Sequence, residues 1–157
     1  MTPGKFAGIR DIRRDGMGSM AYALVGRLSV NVYAPSSPTD EEWDVYLKYR
    51  VTHMDRIDAV LVYTQGGAST IPQRERLNRL PRRILGAPGA VVTSSVYVRA
   101  MYKARVETHT IWKVFSETEW DAAFRHLSVR QEERSTVLSL VTKLGVDLGL
   151  AMPLLPL

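Results

Sequence analysis

The sequence predicts an α/β domain in which a mixed sheet of four or five strands is crossed by helices. Three observations carry this prediction. The short β-branched runs Ala59–Tyr63, Ala90–Thr93 and Ile111–Phe115 place apolar residues at consecutive positions, as in strands covered on both faces. Between and after them lie segments with apolar residues at helical spacing. Four helix starts also carry a Ser or Thr followed three residues later by Glu or Gln, the pattern of a reciprocal capping box. At 157 residues, 45% hydrophobic and 24% charged, the chain suits one domain with one sizeable core.

The elements follow in order. Residues 1–18 form a basic arm with at most a short regular piece through Phe6, Ile9 and Ile12. Ala21 to Tyr33 reads as a strand pair or one long strand, with Gly26 as a turn or bulge and Pro35-Ser-Ser-Pro38 as its stop. Thr39 with Glu42 opens a helix whose Trp43, Leu47, Val51 and Met54 share a face. After the strand at 59–63, Thr70 with Gln73 opens a helix that turns Leu77, Leu80 and Ile84 inward. A further helix, about Val96 to Val106, carries Val98, Met101 and Tyr102 between the second and third strands. Ser116 with Glu119 opens the next, with Trp120, Ala123, Phe124 and Leu127. Ser128 with Gln131 opens the last, with Val137, Leu138, Val141 and Leu144 inward and Gly145 as its stop. The domain therefore spans 19–144, followed by an apolar tail at 145–157.

Composition and motifs exclude much. Without cysteine there is no disulfide framework and no thiolate metal site. The first residues lack the apolar stretch of a secretory signal, and no run reaches the ~18 apolar residues of a membrane span. The expectation is a cytoplasmic protein. There is no Walker loop, and Gly16-Met-Gly18 lacks both the preceding strand and the third glycine of a dinucleotide fingerprint. His53, His109 and His126 are isolated, which suits structural roles. No serine sits in a Gly-x-Ser-x-Gly elbow. The pairs Glu41-Glu42 and Glu132-Glu133 are first-turn residues that complement helix dipoles. No catalytic residue, metal ligand or cofactor is expected.

Binding chemistry concentrates in one place. The net charge is +5, and residues 70–103 alone contribute +6. The loop Thr64-Gln-Gly-Gly-Ala-Ser-Thr70 leaves the most strand-like run and opens the helix carrying Arg74, Arg76, Arg79, Arg82 and Arg83. In open α/β sheets ligands gather beyond the carboxyl ends of strands, and a helix N-terminus offers free amides to an anion. The candidate binding residues are Gln65, Gly66, Gly67, Ser69, Thr70, Arg76, Arg79 and Arg83, the three arginines falling on one helical stripe. The alternative is a plain capped connection followed by a solvated basic face. No aromatic residues interleave the arginines, which argues against nucleic acid as the partner.

At this loop the sequence is similar to the STAS family, the domain of anti-sigma-factor antagonists and of sulfate-transporter cytoplasmic tails. The resemblance covers roughly residues 20–127. It rests on the element order and on Ser116-Glu-Thr-Glu-Trp-Asp-Ala-Ala-Phe-Arg-His-Leu127, which looks like the last helix of STAS-like domains. It implies a non-enzymatic regulatory module in signalling, with Ser69 or Thr70 as the phosphorylated residue. Here Gln65-Gly-Gly-Ala68 stands where the family usually has an aspartate. Three functions are therefore carried forward: a partner-switching or scaffold module for an acidic protein, a lipid- or anion-binding domain using the same loop and helix, and an enzyme whose site has no recognised motif. The tail, in which Asp147 is the one charge, is expected to dock onto its own domain or across a homodimer interface.

Overall fold

The computed structural model describes residues 18–106 and 111–156. The basic arm at 1–17, with Phe6, Ile9 and Ile12, and His109 thus lie outside the described residues. Met20–Val25 (β1) and Leu28–Tyr33 (β2) form an antiparallel hairpin, which settles the strand pair against the single long strand. Gly26 holds φ +57 at the first of the two turn positions, where a two-residue hairpin favours glycine. Ala59–Thr64 (β3), Gly89–Thr93 (β4) and Trp112–Phe115 (β5) run parallel to β2, giving a five-stranded mixed sheet in the order β1-β2-β3-β4-β5. The expected centre, β3, is the centre.

Strand alternation divides the core in two. On one face Val60, Val62 and Val91 pack with Asp40–Thr52 (α1) and Val96–Val106 (α4). On the other, Leu61, Tyr63, Ala90 and Val92 pack with Trp120–His126 (α5) and Arg134–Asp147 (α6). The connection from β3 to β4 passes through Ile71–Leu77 (α2) and Arg82–Leu85 (α3). β5 is an edge strand of intermediate burial with Lys113 exposed, so the expectation that both its faces are covered is corrected.

Two of the four capping boxes form. Thr39 with Glu42 and Thr70 with Gln73 each exchange side-chain and backbone bonds. The other two do not. The Ser116 amide does donate to Glu119 at 2.8 Å, but the helix starts at Trp120 with Glu119 as its N-cap. Ser128 sits at φ +58 and ends α5 instead of opening the next helix. Its amide donates to the Arg125 carbonyl and that of Val129 to the Phe124 carbonyl, the paired bonds of a Schellman cap. Glu132 and Glu133 therefore lie on a 3-10 turn before α6, paired with Arg130.

Three further expectations shift. The single helix from Thr70 to Ile84 is two, because Pro81 has no amide to donate and caps α3. Ile84 is buried and Leu77 and Leu80 pack partly against the core. Helix α1 is rotated from the expected face: Trp43, Tyr46, Leu47 and Arg50 point inward, while Val51 is exposed. Gly145 does not stop α6, which runs on to a second Schellman cap at Gly149 (φ +76). Gly145 instead makes room for Met152, whose sulfur would lie 2.2 Å from a Cβ there. The tail docks onto its own domain: Leu148 and Leu155 are buried in the α5–α6 core, with Leu150 and Met152 packed against it.

Candidate functional site

The loop after β3 is built by its threonines and glycines. The Thr64 hydroxyl donates to the Gly67 carbonyl at 2.6 Å and accepts from the Gly66 amide at 3.1 Å. Gly66 holds φ +146, and Gly67 has no space for a side chain, because a Cβ would fall 2.2 Å from the carbonyl oxygens of both Ala34 and Ser36. The Gly67 amide donates to the Ala34 carbonyl at 2.9 Å. The close approach that the glycines permit is thus to the chain's own 34–36 segment. Gln65 reaches the tail, donating to the Ala151 carbonyl at 3.0 Å.

Gln73 helps fasten the loop and helix to α1. Gln73, fully buried, caps α2 and donates to the Pro38 carbonyl at 2.8 Å and to Asp40 at 3.1 Å. Its backbone carbonyl accepts from the Trp43 indole at 2.9 Å. Among the two candidate hydroxyls, Thr70 is at the surface as the N-cap, whereas Ser69 is only 7% exposed. Glu42 carries the other box. Burial pushes its carboxyl up, but the amides of Ser19 and Thr39 bond to it and hold it below its ordinary value.

The arginines separate. Arg74 donates to the Ser69 carbonyl at 2.7 Å, Arg76 pairs with Asp44, and Arg83 pairs with Asp58 at 3.0 Å. Asp58 also receives Arg27, and the two guanidinium groups draw its carboxyl down to about 2. Arg79 and Arg82 are exposed. The break at Pro81 ends helical registry between α2 and α3, so the expected stripe of Arg76, Arg79 and Arg83 does not form on one helix. On the opposite face of the sheet, burial and the Glu117 carboxylate, which accepts the Tyr63 hydroxyl at 2.7 Å, push Tyr63 up to about 12.

His53 bonds its own helix end at the Tyr49 carbonyl, and His126 lies 3.1 Å from the carbonyls of Gly89 and Ile111. Among the described residues no cluster of His, Asp and Glu could hold a metal, and no helix is long and apolar enough to cross a membrane. Sequence reasoning missed Arg50 and Asn31. Both lie on the α1 side of the sheet in a buried polar network in which the Tyr46 hydroxyl accepts from Asn31 at 2.8 Å and from Arg50 at 2.9 Å. The signal was present in the spacing, since Arg50 follows Trp43 by seven residues on the face that Tyr46 and Leu47 share.

No protein-family profile matches the chain, and no solved structure matches it. Human microtubule-associated protein 1S is 30% identical to it over 131 residues, which is 83% of this chain. The chain spans 11% of the length of that curated protein.

Proposed function

We propose that the chain is a cytoplasmic, non-enzymatic interaction module of the STAS-like partner-switching or scaffold kind. It docks an acidic protein through the 64–70 loop and the arginines of α2 and α3. The observation that carries this reading is a group of exposed apolar side chains at the same sheet edge as the loop. Thr64 pairs with Thr93 at the ends of β3 and β4, and the Thr93 hydroxyl donates to the Thr64 carbonyl at 2.7 Å. The helices that follow begin with Ile71, 64% exposed, and with Val96 and Tyr97, 72% and 74% exposed. Ile71, Val96 and Tyr97 offer apolar anchors, and Arg79 and Arg82, exposed on the connection from β3 to β4, add positive charge that suits an acidic partner.

The order of strands and helices is in keeping with the STAS-like reading. The likeness to a segment of a protein named for what it associates with is in keeping with an interaction module. The test is capture of binding proteins by the wild-type chain, by Ile71→Asp with Tyr97→Ser, and by charge reversal of Arg79 and Arg82. An acidic protein should be retained by the wild type, lost with the first variant, and weakened by charge reversal and by salt. Retention by all three chains at high salt would exclude this surface. The exposed arginines also suit anionic headgroups, and co-flotation with phosphatidylserine vesicles would favour that second reading.

A further inference from the structure

Behind the loop, the space between α1, α2, α3 and the sheet is not filled. A cavity of about 150 Å³ is lined by Val62 on the sheet, by Trp43, Tyr46 and Arg50 on α1, and by Leu77 and Trp112. At ~30 Å³ per water it holds about five waters or one compact organic molecule. Arg50 is 4% exposed. Its terminal nitrogens donate to the Tyr46 hydroxyl at 2.9 Å and to the Ile84 carbonyl at 3.2 Å, and its Nε has no partner. Among the described residues it forms no ion pair, and no Asp or Glu lines the cavity.

A guanidinium does not shed its charge, so burial with only neutral acceptors leaves it undercompensated. The hydroxyl beside it adds a second donor. Tyr46 accepts from both Asn31 and Arg50, which occupies its two lone pairs and leaves its own proton to be given to an acceptor. Arg74, also on the wall, adds a second positive charge. The cavity therefore combines unmet donors and positive charge with aromatic and aliphatic walls.

We propose that this cavity binds a small organic anion, a carboxylate on a compact apolar body. Its oxygens accept from Arg50 and the Tyr46 hydroxyl while the body lies against Trp43, Val62 and Trp112. The cavity shares Ser69 and Arg74 with the loop and helix proposed for docking, but benzoate binding is read without any partner.

The test titrates the whole chain with benzoate at constant ionic strength and reads tryptophan fluorescence, since Trp43 and Trp112 line the cavity. Benzamide serves as the neutral isostere and inorganic phosphate as the anion without an apolar body. Benzoate should saturate and benzamide should bind about tenfold or more weakly, the factor expected for one charge-assisted hydrogen bond. Arg50→Met should erase that difference, and Leu77→Phe, which narrows the cavity and keeps the charge, should weaken benzoate. Equal affinity for benzoate and benzamide, or phosphate binding without benzoate binding, would overturn the proposal. So would an absence of saturation in the millimolar range. If Arg50→Met does not fold, Leu77→Phe decides alone: unchanged benzoate affinity there puts the binding elsewhere and overturns it.

Discussion

Replacing Gly67 by alanine puts a methyl group where the fold has none to spare. The added carbon would lie 2.2 Å from the carbonyl oxygens of Ala34 and Ser36 and 2.9 Å from the Ser36 carbonyl carbon. All three are backbone atoms, so no side chain can swing aside. The loop must move off the 34–36 segment, and the buried bond from the Gly67 amide to the Ala34 carbonyl moves with it. Overpacking costs roughly 1–3 kcal/mol and a broken buried hydrogen bond about 1–3 more, so the expected loss is about 2–6 kcal/mol. At roughly 2–4 °C per kcal/mol for a domain of this size, the melting temperature should fall by about 4–24 °C.

Two other glycines calibrate the measurement. At Gly66 a Cβ would meet nothing closer than the Pro35 carbonyl oxygen at 3.5 Å, so only its φ of +146 is penalised, at roughly 1–3 kcal/mol. Gly86 has an ordinary helical φ of −80 and should lose little. Urea denaturation of the three alanine variants should therefore rank Gly67 as most damaging, then Gly66, then Gly86. A Gly67→Ala protein as stable as Gly86→Ala would refute the packing argument and, with it, the account of how the loop is held.

Two other outcomes follow from single residues. Ser128→Gly should stabilise the domain by about 0.5–1 kcal/mol, because glycine takes the left-handed C′ position without strain. A loss of stability on chemical denaturation would return Ser128 to an N-cap role. Asp58 has its carboxyl drawn from 3.8 to about 2 by bonds from Arg27 and then Arg83. A depressed carboxylate contributes stability above its unfolded value that is lost as pH falls through the folded one. Asp58→Asn should therefore differ from wild type at neutral pH and converge with it as pH drops below 4 towards 2. Acid-unfolding curves separated by a constant amount across that range would contradict the pairing.

The sheet was legible because strand burial is written in consecutive residues. Val60, Leu61, Val62 and Tyr63 must be covered on both faces wherever they lie, and the turn at Gly26 sits between the two runs it joins. The capping boxes at Thr39 and Thr70 were legible for the same reason, since both partners are three residues apart. The 64–70 loop was found as the prominent connection, but the packing role of Gly67 was not legible in it. Only folding brings Ala34 and Ser36 against Gly67 from the far side of α1.

The sequence by itself determined most of the strands and helices, the central place of β3, and the concentration of positive charge after residue 70. Tertiary structure decided which of several locally allowed bonds each residue makes. Ser116 and Ser128 carry the same spacing as Thr39 and Thr70, yet the carbonyls ending α5 claim the Ser128 and Val129 amides. Arg76 and Arg83 looked free until folding brought Asp44 and Asp58 to them. Arg50 is the clearest case. Its helix position is local, but its burial depends on the turn of α1 against a sheet that already holds Asn31. Short-range patterns limit what a backbone group can do, whereas the desolvation of a charge depends on everything packed around it.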